Sequence, residues 1–257
     1  RTSPPCRYAN REGCGGCDFQ HISITRQRSL KSEVIAEQFS RIAKMDLQVE
    51  VEEINKPLGW RTRCTSVTTK NGSLGFFQAR SHKVIPVDDC RILVPEMQFA
   101  QLAERGAKGD QKLEISISNT GERSIATANA RDESPLRLTD GVDIAHYVVG
   151  DKTFEVSQKS FWQSHKDAPA TLTKAVLEYA GTREGDQVLD LYGGVGLFTA
   201  ALLPLVGETG SVDLVEGSKF ATSDASRNFA DAKNVNIVTG DVAKVITRFP
   251  RADVVVL

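Results

Sequence analysis

Three cysteines near the start of the chain have a spacing typical of metal or cluster ligands. Cys14 and Cys17 are separated by two glycines, which let the loop curl so that both sulfurs face one ion or cluster, and Cys6 lies nearby. Cys90 can complete the set if the fold returns there. Cys64, in a strand-like run, is expected to be a core residue. Four thiolates suit an iron–sulfur cluster or zinc, and both remain open.

A glycine-rich turn follows an apolar strand in the last third of the chain. The strand begins at Val188 and leads into Gly194 and Gly196, after which a helix is predicted. Glycines here permit a tight turn and let a ligand approach backbone N–H groups at the helix start. Glu216 ends the next predicted strand, where an acid can bind ribose hydroxyls. The pattern therefore predicts a nucleoside cofactor site.

The type of cofactor follows from the residues around this turn. A dinucleotide site needs a third glycine for close helix packing, and Thr199 stands at that place. Asp190 precedes Gly194 by four residues, which resembles the D-x-x-x-G-x-G pattern of class I methyltransferases. Their cofactor, S-adenosylmethionine, is positively charged and has no pyrophosphate, so an acid is favourable there and unfavourable beside phosphates.

A basic stretch with interleaved aromatic side chains lies between Pro57 and Lys83, and it contains no acidic residue. Cations for phosphates and flat rings for unstacked bases are what a single-stranded RNA surface requires. The alternative is a solvated hairpin whose aromatic side chains face a core. The predicted RNA-binding residues are Arg61, Arg63, Phe76, Arg80, His82 and Lys83.

The elements that must position these residues fall into three stretches. Residues 1–22 form a loop-rich cysteine segment, and apolar residues at helical spacing predict an amphipathic helix over 24–45. Short β-rich runs follow to about residue 149, with a hairpin turn at Asn71-Gly72. From about residue 154, helices and strands alternate, which predicts a parallel sheet.

The individual elements can be predicted from the same patterns. The β-rich runs are expected at 49–54, 64–69, 74–77, 83–87, 112–118 and 124–128. In the second half, strands are expected from 188 and at 211–215, 235–238 and 252–257, and helices at 197–206, 220–232 and 242–249.

Composition excludes several classes of protein. The chain has 257 residues, 40% of them hydrophobic and 25% charged, as in ordinary globular proteins. A net charge of −1 gives no global attraction to nucleic acid or membrane, and the longest apolar run, 200–206, is too short for a membrane span. Five cysteines without an export signal predict reduced thiols in a cytoplasmic protein.

Together these motifs resemble the iron–sulfur-containing RNA uracil-5-methyltransferases, which are class I enzymes dependent on S-adenosylmethionine. The resemblance covers nearly the whole chain. The motifs occur in the family's order: Cys-x7-Cys-Gly-Gly-Cys, Gly75-Phe76-Phe77, Ser81-His82, Cys90, Phe161-Trp162-Gln163, the Asp190 loop, Glu216, Gly240-Asp241 and residues 252–257.

The resemblance implies an α+β/α/β fold. A β-rich central domain with a cysteine cluster segment precedes a partial, Rossmann-like class I methyltransferase domain. Residues 1–150 would hold the iron–sulfur segment and the RNA-binding domain, and residues 151–257 the N-terminal part of the methyltransferase domain. The implied ligands of a [4Fe–4S] cluster, with zinc as the alternative, are Cys6, Cys14, Cys17 and Cys90.

The resemblance also implies roles for residues of the second half. The base pocket would be lined by Phe161 and Gln163. The partner is structured ribosomal or transfer RNA with a flipped-out uridine in a single-stranded loop, without a membrane partner, and the full-length protein is expected to be a monomer. The implied cofactor contacts are Gln163, Tyr192, Gly194, Gly196, Glu216 and Asp241.

Three positions depart from the family pattern. The first cysteine gap is seven residues where five is common, Leu197 replaces the usual Asn, and Gly193 replaces a frequent Cys. The gap sets Cys6 apart from the other implied ligands.

In this family a cysteine thiolate adds to C6 of uridine, C5 takes the methyl group and a base removes the C5 proton. We expect nucleophile and base after Leu257, because in the family they follow the strand matching 252–257. No catalytic residue is therefore assigned here, and the chain alone is expected to be inactive. The alternative is a non-catalytic fragment or homologue that binds S-adenosylmethionine and RNA. Radical chemistry is disfavoured because its Cys-x3-Cys-x2-Cys spacing is missing.

Overall fold

The chain folds into two compact units. The computed structural model describes residues 1–132, 134–249 and 251–257. The first unit comprises residues 1–114 and 127–137, and the second comprises residues 115–126 and 138–257. Residues 138–150 thus lie in the second unit, and the domain boundary at residue 150 stays a prediction.

A single long helix follows the cysteine segment. Helix α1 (Ile24–Gln38) begins after Ser23, whose Oγ accepts the Arg26 N–H, and a π-helical turn over Phe39–Ala43 extends it. The predicted helix is confirmed, but its apolar side chains do not form a core. No residue of α1 is buried, and Ile42 is 78% exposed. The strand predicted at 49–54 is wrong, because these residues are irregular.

Six strands form an antiparallel-rich sheet in the order β3-β2-β1-β4-β5-β6. The predicted hairpin at Asn71-Gly72 is confirmed, because Gly72 has a φ of +85° and its N–H donates to Thr69 O. A short helix, α2 (Phe99–Arg105), precedes β4. The division between the units falls inside β4, β5 and β6. The strands are β1 (Arg63–Thr68), β2 (Leu74–Phe77), β3 (Val84–Pro86), β4 (Gln111–Ile117), β5 (Arg123–Asn129) and β6 (Arg137–Gly141).

The second unit contains a hairpin and a four-stranded sheet. The sheet order is β11-β10-β9-β12 and every pair is parallel, which confirms the predicted parallel sheet. Its elements are β7 (Ile144–Val149), β8 (Lys152–Ser157), α3 (Ala168–Tyr179), β9 (Gln187–Leu191), α4 (Leu197–Val206), β10 (Ser211–Glu216), α5 (Lys219–Asn228), β11 (Val235–Thr239), α6 (Val242–Val245), a 3₁₀ turn (Ile246–Arg248) and β12 (Val254–Val256).

Side chains cover both faces of the parallel sheet, which explains why its strands are almost continuously apolar. Leu202 and Val206 of α4 pack on Val188 and Val212, which belong to one buried cluster. A second cluster joins Leu189, Leu191 and Val215 to Val242 and Val245 of α6. Parallel strands end at one common edge of the sheet, so the residues that follow β9, β10 and β11 converge there.

Helix α5 covers the outer edge of β8 with polar side chains. Asn228 accepts the Glu155 N–H through Oδ1 at 2.7 Å, and its Nδ2 donates to the carbonyl oxygens of Glu155 and Val195. Four residues earlier, Asp224 accepts the Ser157 N–H at 2.8 Å. Both side chains are buried, so they replace the neighbouring strand that β8 lacks at this edge.

Among the helices in the described part of the chain, none combines the length and apolar character needed to cross a bilayer.

Candidate functional site

All five cysteines line one cavity in the first unit, with a volume of about 250 Å³. The cysteine segment is held on β2, because Cys14 forms a β-bridge with Gln78 and the Gly15 N–H donates to Phe77 O. Cys90 enters from a separate turn, closed by the Leu93 N–H donating to its carbonyl oxygen. The fold therefore returns Cys90 to the cysteine segment, as the prediction requires.

The pKa values of Cys14 and Cys90 are affected by burial and by the neighbouring cysteines of the cavity. Burial raises the pKa of Cys90 to about 11; the Ile92 and Leu93 N–H groups oppose the rise, and the nearby Cys17 and Cys14 add to it. Burial also raises the pKa of Cys14; the Gly16 N–H opposes the rise, and Cys17 and Cys6 add to it. The four predicted ligands would thus repel one another as thiolates, and a bound cation or cluster would offset this repulsion.

Cys64 differs from the other four cysteines. Burial raises the pKa of Cys64 to about 12, with a further contribution from Cys90 and an opposing one from Arg61. Its sulfur lies 3.8 Å from the sulfur of Met97, a fully buried residue. This environment agrees with the expectation that Cys64 is a core residue on the cavity wall.

The cavity can be compared with the needs of the two candidate groups. A single zinc ion requires four sulfurs at about 2.3 Å from one point. In the ranges that the structure describes, no three His, Cys, Asp or Glu side chains are arranged to hold one metal ion. The all-thiol donor set is of the type that either zinc or an iron–sulfur cluster takes, so both stay predictions.

The residues predicted to bind RNA fall into two places. Arg80, His82 and Lys83 are exposed together in the turn after β2, where the His82 ring lies edge-on to Phe77 at 5.9 Å. Arg61 instead lies on the wall of the cysteine cavity.

Phe76 also lines this cavity, and its ring stacks on Phe99 at 5.6 Å. Its packing corresponds to the alternative in which strand aromatics face a core. Arg63 opens β1, and its carbonyl oxygen accepts the Arg61 Nε–H at 2.9 Å. RNA contact by these six residues stays a prediction.

The glycine turn of the second unit is tied to Glu216. The Gly194 N–H donates to one carboxylate oxygen at 3.1 Å, and the Ser218 N–H donates to the other at 2.7 Å. Sequence reasoning missed Ser218, although Ser before a helix is a common capping signal, and its Oγ also accepts the Ala221 N–H. The two donors orient the Glu216 carboxylate and leave further lone pairs for a ligand.

Two glycines of the turn have different reasons for lacking a side chain. Gly196 has a φ of +94°, and a Cβ there would lie 2.2 Å from the Phe229 ring. Gly194 has a φ of +58°, but a Cβ there would meet nothing within 4 Å. Gly196 is therefore required by packing, whereas Gly194 faces open space where a ligand can approach.

Asp190 lies beneath the turn rather than at its surface. Its Oδ2 accepts the Thr199 N–H at 3.0 Å and the Thr199 Oγ–H at 2.6 Å, so it caps the start of α4. Within the described residues, Oδ1 has no hydrogen-bond partner. Burial raises the pKa of Asp190 to about 6, the Thr199 bonds oppose this rise, and Glu216 adds to it.

The other predicted cofactor residues lie at the same edge of the parallel sheet. Tyr192 follows β9 with a φ of +58° and is 67% exposed. Asp241 follows β11, and its Oδ1 accepts the Ala243 N–H at the start of α6. Tyr192, Gly194, Glu216 and Asp241 thus all lie at this edge, and their contact with a cofactor stays a prediction.

Phe161 and Gln163 flank an anchored residue. Trp162 between them is buried, and its ring lies 4.8 Å from Tyr147 and 5.4 Å from Phe154. Phe161 is 68% exposed and Gln163 is half-buried. The anchored tryptophan thus fixes the backbone from which both predicted base-pocket side chains project.

Comparison with known proteins decides the family. An uncharacterized RNA methyltransferase of Streptomyces avermitilis is 34% identical over 292 residues, covering 100% of this chain and 67% of that protein. The chain belongs to this RNA methyltransferase family. A 23S rRNA (uracil(1939)-C(5))-methyltransferase, RlmD, of Shewanella amazonensis is 26% identical and matches 97% of the chain and 64% of that protein. The chain thus spans about two thirds, or slightly less, of these relatives.

Two further comparisons concern the fold. The Pyrococcus abyssi tRNA (uracil-54, C5)-methyltransferase, solved with S-adenosyl-L-homocysteine, matches 89% of this chain and 66% of its own, with a TM-score of 0.63 and 19% identity. The sequence model of the protein-L-isoaspartate(D-aspartate) O-methyltransferase family matches residues 143–250. These findings confirm a mixed α/β fold of S-adenosylmethionine-dependent methyltransferases.

Proposed function

We propose that the protein transfers the methyl group of S-adenosylmethionine to C5 of a uridine in ribosomal or transfer RNA. The observation that carries this proposal is the Gly194–Glu216 turn at the carboxyl edge of a parallel sheet, in a chain that belongs to an RNA methyltransferase family. The RlmD relative and the structurally similar tRNA enzyme, both named for uracil C5, support the choice of base and atom.

The residues of the second unit divide the work of binding. S-adenosylmethionine supplies an electrophilic methyl group on a sulfonium. Glu216, oriented by two N–H donors, accepts hydrogen bonds from ribose hydroxyls, while Gly194 lets the ligand approach the backbone. Asp241 and the Tyr192 ring flank the cofactor at the same edge of the parallel sheet. Phe161 and Gln163 hold the extruded uracil by stacking and hydrogen bonding.

We infer that methylation proceeds through a cysteine adduct at C6, with loss of the C5 proton after methyl transfer. All five cysteines of this chain line the cavity of the first unit, so none of them is assigned as the nucleophile. Phe161 and Gln163 are proposed to orient the uracil, and neither forms a covalent bond in the reaction.

We propose a [4Fe–4S] cluster on Cys6, Cys14, Cys17 and Cys90. The shared cavity and the mutual repulsion of these thiols support it, including for Cys6 despite its unusual spacing. The cluster orders a loop-rich segment that has little helix or strand of its own. The adjoining turn with Arg80, His82 and Lys83 is proposed to contact RNA phosphates and bases. We propose that the protein acts in the cytoplasm, with its proposed RNA substrate.

The reaction can be tested with transcribed rRNA whose uridines carry tritium at C5. The full-length protein with S-adenosylmethionine is expected to release one tritium to water for each methyl group incorporated. Methyl incorporation without tritium release would show that another atom is modified. Glu216→Ala should abolish both signals by loss of cofactor binding, whereas Asp213→Ala, on the same strand, should retain both. Binding of cofactor and RNA without turnover would favour the non-catalytic alternative.

A further inference from the structure

Lys159 and Phe220 form an exposed pair that none of the assigned roles uses. The Lys159 Nζ lies 4.9 Å from the centroid of the Phe220 ring, within the range of a cation–π contact. Phe220 is 52% exposed, and Lys159 is exposed as well. An aromatic ring at an exposed helix position contributes little to folding, because it remains in contact with water.

Each member of the pair is close in sequence to a residue of the proposed active site. Phe220 lies in the first turn of α5, four residues after Glu216, and Lys159 lies two residues before Phe161. The pair therefore links the cofactor-binding segment to the segment that carries the predicted base pocket.

The backbone under this pair is rigidly held. Asp224 of α5 accepts the N–H and the Oγ–H of Ser157, at 2.8 and 2.9 Å. The Ser157 hydroxyl also bonds the hydroxyl of Ser160, which is 2% exposed. Lys159 is thus fixed between two anchored serines, and Phe220 belongs to the helix that anchors them.

The charge of this surface favours a nucleic acid over the cofactor. Lys159 places a positive charge beside the ring, and the exposed Lys219 adds a second one to the same turn of α5. S-adenosylmethionine is itself positively charged at sulfur and would be repelled, whereas RNA phosphates would be attracted. An aromatic ring with adjoining cations is the combination that binds single-stranded nucleic acid.

We propose that Lys159 and Phe220 bind a nucleotide next to the target uridine, the ring stacking on its base and the amine contacting its phosphate. This inference deepens the proposed function and rests on it. Because stacking tolerates any base, the pair would supply affinity and hold the strand in register rather than select a sequence.

The test uses the full-length protein and a fluorescein-labelled single-stranded oligouridylate. Phe220→Ala is expected to weaken RNA binding roughly 5- to 150-fold, the effect of losing one base–aromatic stack. Phe220→Tyr should bind within about twofold of the unaltered protein, because the ring is kept. Calorimetric affinity for S-adenosylmethionine should stay unchanged in both variants, which also verifies that they fold.

The charge is tested separately through salt dependence. Lys159→Gln should reduce the slope of log affinity against log salt concentration by about 0.7, the value for one phosphate contact on a single strand. Tyr179→Ala is the matched control, because Tyr179 is 77% exposed at the end of α3 and outside the proposed surface. It should alter neither affinity nor slope.

Three results would overturn the inference. If Phe220→Ala binds RNA like the unaltered protein while Phe161→Ala does not, the proposed function stands and this pair has no part in it. If Phe220→Ala loses affinity for S-adenosylmethionine instead, the ring belongs to the cofactor site. If the unaltered protein binds no RNA, the proposed function and this inference fall together.

Discussion

At the scale of single residues, Asp190 shows how a buried carboxyl can hold the glycine turn in place. It is fully buried and caps α4 through Thr199. A charged carboxylate in such a place is unfavourable, and its second oxygen has no partner among the described residues. The hydrogen bonds to Thr199 therefore stabilise the folded protein, whereas burial of the charged carboxylate destabilises it.

This conflict predicts a pH dependence of unfolding. The pKa of Asp190 is about 6 in the folded protein, against an ordinary value of 3.8. The folded state therefore binds the proton more tightly, and its stability falls as the pH rises from about 4 through 6, by about 3 kcal/mol in total. Asp190→Asn should lack this loss, so its free energy of unfolding relative to the unaltered protein should increase by that amount between pH 4 and 7.

The measurement is urea unfolding at several pH values, followed by the fluorescence of Trp162 in a Trp60→Phe background. Asp213→Asn serves as the control, because Asp213 lies on the adjacent strand but is half-exposed and bonded to Asn236. A parallel pH profile for Asp190→Asn and the unaltered protein would contradict the proposed protonation.

The two glycines of the turn give a matched pair of substitutions. Gly196→Ala should lower the free energy of unfolding by about 2–4 kcal/mol, because its Cβ would overlap the Phe229 ring and its φ is positive. Gly194→Ala should cost only about 1–2 kcal/mol, for the positive φ alone. Denaturant midpoints measure both costs. Equal losses for the two variants would mean that the Phe229 ring moves away from the new Cβ without an energetic cost.

At the scale of elements, α5 is joined to β8 by hydrogen bonds in addition to the apolar cluster that Ala221 shares with Phe154 and Val156. Asn228→Leu, of similar size, leaves the Glu155 N–H and two carbonyl oxygens without their partner. We expect a loss of about 2–4 kcal/mol in the free energy of unfolding. Ser226→Ala on the exposed side of the helix should cost less than about 0.5 kcal/mol. A small effect of Asn228→Leu would show that water replaces these bonds.

Elements with a periodic apolar pattern could be predicted from the sequence, and others could not. The helix predicted at 197–206 is observed with those bounds, because a glycine on either side delimits its apolar run. The strands β7 and β8 were missed, although Gly150-Asp151 between two β-branched runs is a hairpin signal. The strand β6 shows no alternation, since all its residues are exposed, and only its pairing defines it.

The site was predictable where spacing alone determines position. Glu216 could be placed at the end of its strand from the sequence pattern, whereas Tyr192 and Asp241 were assigned only through the family resemblance. The Asp190–Thr199 bond and the Lys159–Phe220 pair could not be predicted, because they depend on side-chain direction and on packing between elements distant in sequence.

At the scale of the whole molecule, the two units differ in what stabilises their folded structure. The second unit has a parallel sheet covered on both faces, whereas the cysteine segment and α1 of the first unit bury little apolar surface. Small loop-rich regions need staples such as metal sites to stay folded. Ordering of the first unit should therefore depend on its thiols, and that of the second should not.

Two cysteine substitutions test this difference in the full-length protein. Cys17→Ser should lose iron and acid-labile sulfide and become sensitive to protease within residues 1–90, because one proposed ligand of the cluster is removed. Cys64→Ser, at the wall of the same cavity, should retain both iron and acid-labile sulfide. Affinity for S-adenosylmethionine should be unchanged in each variant. Iron retained by Cys17→Ser would contradict the ligand assignment.

The polar contact between α5 and β8 also constrains how the chain can vary in length. Each residue of an α-helix turns by about 100°. One residue inserted between Asp224 and Asn228 would therefore rotate one of these side chains away from the β8 edge, while the other kept its bond. Among homologues that keep this contact, insertions and deletions should fall in the loops on either side of α5 and leave the four-residue interval intact.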